Sequence, residues 1–311
     1  MIRTRRKNRT TRLLAIAMGL VFLTAACGDD GETADTSDDT TTTAVEFDAG
    51  TTMARIAEQG TIKIGVKFDQ PGFGQVNPTT GGDPEGFDVE IAELIVAAIG
   101  DDVEIEWVES VSKNREPFIQ DGTVDMVVAT YTINDTRKQV VDFAGPYFIA
   151  GQDTMVRADD ESIKSVEDLN GKEVCTVKGS TSATNVVAAA PDAKVTLLDG
   201  YSQCAEGVAD GRYDALTTDN AILLGLIAQS DGAFKLVDKK FSDEPYGIGA
   251  KKDDDAFRDF INDVLEEIYD NGDWDAAFEA TLGQLGLSTP TPPPVDRYTE
   301  TPPAPSTTAA P

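Results

Sequence analysis

Histidine is missing altogether from the 311 residues. Its absence removes Ser-His-Asp and Cys-His catalysis and any histidine-ligated metal. Positive charge is scarce: 26 Lys and Arg stand against 55 Asp and Glu, a formal net charge of −29. Arg3, Arg5, Arg6, Lys7, Arg9 and Arg12 all fall near the start of the chain, where no acidic residue occurs, so the remainder is more acidic still. Such a surface repels nucleic acid and an anionic bilayer. Past the first 26 residues there is no long hydrophobic run, and no G-x-x-x-x-G-K-[ST] loop occurs. Neither a bundle of membrane spans nor a P-loop nucleotide site is therefore written in this sequence. Cysteine is nearly absent, at three residues, Cys27, Cys175 and Cys204.

What is present begins with MIRTRRKNRTTRLLAIAMGLVFLTAA, residues 1–26. A basic start, an apolar core of about a dozen residues and small residues at the end make the pattern of a secretory signal. The core is shorter than the roughly 20 residues that span a membrane. Cys27 follows Leu23-Thr24-Ala25-Ala26, which resembles a bacterial lipobox, with Thr24 where leucine is usual. The resemblance implies that Cys27 carries lipid and anchors the mature chain to the cell membrane. Residues 27–50 are acidic, Thr-rich and poor in apolar side chains, the composition of a linker. Residues 288–311 are rich in Pro and Thr and read as a disordered tail. With Cys27 lipidated, Cys175 and Cys204 are an even pair in an exported protein, and a disulfide between them is expected.

Between these ends the chain alternates. TIKIGVKF is rich in β-formers, and FDVEIAELIVAAIG carries a helical apolar stripe of Ile91, Leu94, Ile95, Ala98 and Ile99. DVEIEWVE alternates as a strand, NREPFIQDG is a short helix, VDMVVAT a buried strand, and NDTRKQV a helix start capped by Asn134 or Asp135. The theme repeats with KEVCTVKGS, STSATNVVAAA, AKVTLLDG, SQCAEGVADG, DALTTD and NAILLGLIAQ. FKLVDKK, YGIGAKK, an acidic amphipathic helix from about Asp253 to Tyr269 and a helix around Trp274–Leu282 close the fold. Alternating β and α elements imply parallel sheets with helices on both faces, and two blocks in succession imply two α/β lobes.

Ligands of open α/β sheets bind at the C-terminal ends of strands. The side chains just past strands are informative here: Lys67 to Gln70, Ser112 to Arg115, Thr130 to Arg137, Gly179 to Ser182, and Asp219. Glu85, Asp88 and Glu116 are the acidic residues nearby, and an enzyme would need one of them poised as acid or base. Their ordinary reading is solvent or a helix cap.

Three segments carry a family resemblance. GFDVEI with the apolar helix after it, TYTINDTRKQVVDFAGPY and GRYDALTTD resemble the family 3 extracytoplasmic solute-binding proteins, the amino-acid receptors of ABC importers. The resemblance extends over residues 55–287, and IGVKFDQPGFG with the cysteine of KEVCTVKGST is similar to actinobacterial glutamate-binding lipoproteins. It implies an α/β fold of the two-lobed periplasmic-binding-protein type II, each lobe a sheet flanked by helices, joined by a two-strand hinge. Residues 51–149 plus 246–287 form the first lobe and residues 150–245 the second, with crossings near Ile149–Asp153 and Asp243–Tyr246.

The resemblance also implies a site. Arg137 holds an α-carboxylate, a task suited to a planar guanidinium. Backbone N–H groups near Thr132 and at Gly179-Ser180-Thr181 assist it, while Asp219 and the carbonyl of Thr130 take the ammonium. Lys67 and Arg115, with Ser112, fall where glutamate and aspartate receptors hold a distal carboxylate. Gln70 stands where several relatives carry an aromatic lid, with Phe68 and Phe73 nearby, and Tyr201 stands where some carry histidine. The expected function is capture of glutamate or aspartate by lobe closure and delivery to ABC permease subunits and their ATPase. The receptor is expected to be a monomer without cofactor, metal or catalytic residue. Alternatives are a glutamine or asparagine receptor, a cyclohexadienyl-dehydratase-like enzyme, or a sensory module on the same fold.

Overall fold

The computed structural model describes residues 46–297. The signal, Cys27, most of the linker and the last part of the tail lie outside the described residues. The chain enters as α1 (Thr52–Gln59) and β1 (Thr61–Val66) and makes a small hairpin from β2 (Asp69–Gln70) and β3 (Gly74–Gln75). It continues through α2 (Phe87–Ile99), β4 (Glu104–Glu109), α3 (Arg115–Gln120), β5 (Met126–Val127), α4 (Asp135–Lys138) and β6 (Val141–Ala150). Next come β7 (Gln152–Arg157), β8 (Glu173–Val177), α5 (Thr181–Ala189), β9 (Lys194–Leu198), α6 (Tyr201–Ala209), β10 (Ala215–Asp219), α7 (Asn220–Ala228) and β11 (Phe234–Leu236). The chain returns through β12 (Glu244–Lys251) to α8 (Asp255–Asn271) and α9 (Asp273–Ala280).

Two five-stranded sheets result, ordered β4-β1-β5-β12-β6 and β11-β7-β10-β8-β9, and helices flank both. β6 ends in the first sheet and β7 starts in the second, so one crossing falls at Gly151; the other lies between β11 and β12. The sheets are mixed rather than parallel. β1 runs parallel to β4 and β5, but β12 is antiparallel to β5 and β6, and β7 is antiparallel to β10 and β11. The strands that cross between lobes enter from the opposite end, which the β-α alternation elsewhere does not report. β6, a ten-residue strand with Gly145-Pro146 inside it, and α1 are elements that the sequence patterns above do not single out.

The helices form where the apolar spacing says they should. In α2, Phe87, Ile91, Ile95 and Ile99 are buried, one per turn. At its start Gly86 has φ 136, and a Cβ there would stand 2.3 Å from the Phe73 carbonyl oxygen, so only glycine fits. α8 buries Phe257, Ile261, Leu265 and Ile268 and starts with Asp254 accepting from the Phe257 N–H. Aromatic rings dominate the first lobe's core: Phe73, Phe87, Tyr147, Phe148, Tyr246, Trp274 and Phe278 meet mostly edge to face. In the second lobe a disulfide joins Cys175 on β8 to Cys204 on α6, with Cα atoms 5.5 Å apart.

Residues 288–297, expected to belong to a disordered tail, instead lie against the first lobe. Pro293 is buried, Val295 packs on the main core, and Arg297 pairs with Asp263 and Glu266 of α8. A Pro-rich segment cannot build a core of its own, but it can cover one already built.

Candidate functional site

The loops after β1, β4 and β5 in the first lobe meet those after β8 and β10 in the second. Between them lies a small, mostly polar cleft lined by Ser112, Arg115, Thr130, Thr132, Ser180, Thr181, Ser182, Tyr201, Asp219 and Ile222. Arg137, Lys67 and Gln70 stand behind this lining rather than in it, each touching a group that belongs to it.

The first-lobe side is built of buried cations on a stiff backbone. Arg115, at the start of α3, donates to the carbonyls of Ser112 (3.2 Å), Ala129 (3.0 Å), Thr130 (3.0 Å) and Gly179 (3.3 Å). Its guanidinium lies 4.3 Å from the centre of the Tyr131 ring. Arg137 sits in α4, whose N-cap Asn134 accepts from the Arg137 N–H. It donates to the carbonyls of Thr132 (2.6 Å) and Gly179 (3.0 Å) and pairs with Glu116 at 3.1 Å. Burial, with Arg115 beside it, lowers the Arg137 pKa to about 10. Lys67 donates to Ser112 Oγ at 2.8 Å. Burial first, and Arg115 second, push its ammonium well below the usual lysine range. Among the described residues, neither Lys67 nor Arg115 makes an ion pair.

Thr130 has φ 44, a strained conformation for a residue with a Cβ. Asp88 holds it there. One carboxylate oxygen accepts the Thr130 N–H at 2.9 Å and the other accepts the Tyr147 hydroxyl at 2.6 Å. Burial raises the Asp88 pKa to about 6, against those two hydrogen bonds. Gln70 is fully buried and accepts from Thr130 Oγ1 at 3.0 Å, while its Nε2 has no partner. Phe73 is in the core, edge to face with Tyr246, so it is not a lid over the cavity; Phe68 is half-buried against the same core.

The second-lobe side carries one carboxylate and a helix start. Asp219 ends β10 and stands at the N-cap of α7, yet its side chain makes no capping bond. One oxygen accepts the Tyr246 hydroxyl at 2.5 Å, and the other, Oδ1, has no partner. Burial, with Glu244 as second cause, raises its pKa to about 7. Ser180 caps α5 by accepting from the Ala183 N–H, so the positive end of that helix lies at the cavity. Tyr201 is buried beside Asp219, and burial raises its pKa.

The lobes touch directly. Besides the two arginines on Gly179, Thr132 Oγ1 stands 3.4 Å from Thr181 Oγ1, and Lys113 pairs with Asp199 at 2.6 Å. The side-chain amides of Gln75 and Gln229 bond reciprocally. Gly179 has φ 81, and a Cβ there would come within 2.7 Å of Lys113 Cα, which explains glycine at the closest approach.

Sequence reasoning passed over several of these groups. Asp88 and Glu116 read as solvent or cap, but Asp88 is fully buried under Thr130 and Glu116 pairs with Arg137. Glu85 is exposed, as read. Glu244, on the returning strand, was not singled out. It is buried and accepts from Thr181 Oγ1 (2.7 Å), Asn185 (2.8 Å) and Ser242 (2.6 Å). Nothing in EPYGIGA marks it; only the return of β12 places it under α5. Among the described residues no helix is long and apolar enough to cross a membrane, and no cluster of acidic or cysteine ligands could hold a metal.

Known proteins agree with this architecture. The glutamate-binding protein GluB of Corynebacterium glutamicum is 43% identical over 238 residues, 73% of this chain and 80% of that protein. The ABC transporter glutamine-binding protein GlnH of Bacillus subtilis is 40% identical over 269 residues, 86% of this chain and 94% of that protein. A solved ancestral arginine-binding protein bound to glutamine is 37% identical with a TM-score of 0.68, covering 72% of this chain and 98% of its own. The ancestral amino acid-binding protein AncCDT-1, a precursor of cyclohexadienyl dehydratase, superposes with a TM-score of 0.69 at 30% identity, over 75% of this chain and 100% of its own. The sequence profile of one family matches residues 62–284, and with it the chain belongs to the bacterial extracellular solute-binding proteins, family 3.

Proposed function

We propose that this protein is an extracytoplasmic receptor for a free amino acid, glutamate, which it captures between its lobes and passes to an ABC permease and its ATPase. One observation carries the reading. Two buried first-lobe cations, Lys67 and Arg115, have no carboxylate partner, while the buried second-lobe carboxylate of Asp219 has an oxygen without a donor. Buried charge is costly unless it is paired, so a solute with both signs satisfies both lobes at once. The ammonium takes Asp219 Oδ1. The α-carboxylate takes Arg137, once that side chain exchanges a carbonyl for it, together with Thr132 and the amides at the start of α5. The side-chain carboxylate takes Ser112, Lys67 and Arg115. A ligand that touches both lobes favours the closed form by the contacts it makes only there. Cys27 keeps the receptor beside its permease if it carries lipid.

Turnover is not part of this reading. Asp88 and Glu116 are occupied by Thr130, Tyr147 and Arg137, and the one cavity-lining carboxylate is Asp219. A glutamine receptor is the second reading, and a specific observation favours it. Ser112 and the unpartnered amide N–H of Gln70 are neutral hydrogen-bonding groups, and burial disfavours the charge on Lys67. Calorimetry with glutamate, aspartate, glutamine, asparagine and arginine decides. Glutamate is expected to bind at least tenfold more tightly than glutamine. The reverse order replaces the acid by the amide, and no binding of any of the five removes the proposal.

A further inference from the structure

The matched family profile ends at residue 284, and the chain after it does not leave the fold. Past α9 it crosses the first lobe as a strap. Pro293 is buried and Val295 packs on the main core. Asp296 then donates its N–H to the Gly145 carbonyl at 2.7 Å and accepts from Lys138 Nζ at 3.0 Å. Arg297 grips Glu266 through two nitrogens, at 3.1 and 2.7 Å, and reaches Asp263 at 2.7 Å.

These two partners of Asp296 lead into the site. Lys138 is the next residue after Arg137 in the four-residue helix α4, which is too short to hold its own geometry by propensity. Gly145 begins the irregular part of β6. There the pairing with β12 slips between Tyr246 and Ile248, so backbone groups of residues 145–147 need partners outside the ladder. They find them in the Asn262 side chain (2.8 Å to the Gly145 N–H), the Tyr269 hydroxyl (3.0 Å to the Pro146 carbonyl), the Trp274 indole (2.9 Å to the Tyr147 carbonyl), and the strap. Tyr147 bonds Asp88, and Asp88 holds Thr130. β6 is also an outer strand of its sheet, and the strap lies over it at Gly145.

We infer that residues 288–297 are a working part of the receptor, and that Asp296 is a positioning residue. From outside the lobe it fixes the α4 turn that presents Arg137 and the β6 bulge that supports Thr130. This inference rests on the amino-acid-binding reading of the site.

The test uses the full chain, Asp296→Ala, the exchange of charges Lys138→Asp with Asp296→Lys, a chain ended after Ser288, and a chain ended after Arg297 as control. Calorimetry with glutamate and glutamine gives affinity. Thermal melts without ligand give stability, and hydrogen exchange gives the opening of residues 134–147. An exposed pair of this kind sets a scale of about 1.5- to fivefold. Asp296→Ala is expected to weaken amino-acid binding by about that factor and to speed exchange in α4, with the melting temperature of the unliganded protein nearly unchanged. The charge exchange restores both readings. The chain ended after Ser288 loses about tenfold or more, while the control binds as the full chain does. Affinity and α4 exchange unchanged in Asp296→Ala and after the Ser288 end overturn the inference, as does a lower melting temperature alone. If even the full chain binds no amino acid, the site reading fails. The exchange data then still decide the strap, and equal α4 exchange in all variants overturns it.

Discussion

The two lobes solve the same structural problem by different means. The first packs a cluster of aromatic rings around Phe87 and has no disulfide among its described residues. The second buries a smaller aliphatic cluster of Val156, Ile163, Leu169, Val174 and Val186, with a cross-link between β8 and α6 at its inner side. The site divides along the same line. The first lobe brings cations set into carbonyl-rich loops, and the second brings a carboxylate and a helix N-terminus. Aromatic packing fixes Tyr147, whose hydroxyl anchors Asp88 and through it the left-handed Thr130. The second lobe has a simpler task, aiming one strand end and one helix start, and a cross-link between strand and helix is enough for it.

Perturbing one side at a time separates those roles, and the largest effect is expected from Arg137. Arg137→Ala removes a buried charged partner, a change that typically costs about 2–5 kcal/mol. Calorimetry should show a loss of at least thirtyfold, about 2 kcal/mol, for glutamate; near-normal affinity removes Arg137 from the site. The double change Cys175→Ala and Cys204→Ala should cost about 3–4 kcal/mol in the chain-entropy picture. Hydrogen exchange resolved by lobe should find that loss in the second lobe, and an equal loss in both breaks the contrast drawn above.

Acid should act on the second lobe's carboxylate. Burial raises the pKa of Asp219 in the fold to about 7, above the usual carboxylate range, so the unliganded fold favours the protonated form. Its contribution to stability is therefore present at low pH and is lost as pH rises between about 4 and about 7. Ammonium binding requires the ionised form. Affinity should fall about tenfold per pH unit below about 7 and level off above it. Asp219→Asn should bind weakly with this slope removed; the same slope in that variant assigns it to another group, Asp88 first. Lys67→Met should weaken glutamate about tenfold while changing glutamine less than about threefold, because the neutral amide asks less of a cation. Equal losses for the two ligands take Lys67 out of the discrimination. The smallest effect belongs to the exposed clasp between the lobes. Lys113→Ala removes a pair worth about 0–1 kcal/mol, so affinity should fall less than about fivefold, chiefly through faster dissociation. A larger loss means that closure depends on the rim more than on the ligand.

Much of this was legible in the residue order. The apolar stripe of α2, the buried strands β1, β8 and β10, and the cysteine pair follow from spacing and composition. The candidate site residues fall within one region because strand ends converge in α/β folds. What was illegible has a physical cause in each case. Asp88 looks like any first-turn acid of a helix; its burial under Thr130 depends on Tyr147, 59 residues away. Glu244 gains its partners only when the chain comes back from the second lobe. The antiparallel returns of β7 and β12 leave no mark on local hydrophobic period. The strap at 288–297 has the composition of a solvated tail because the surface it covers belongs to other segments.

The sequence alone therefore determined the local elements, the acidity, and the residue types available for chemistry, since these depend on neighbours a few positions apart. The tertiary structure decided which charges meet. Arg115, Arg137 and Gly179 converge, Asp88 is withdrawn from solvent, and Asp219 is left with an open oxygen because burial and pairing arise from contacts between distant segments, which short-range patterns do not encode.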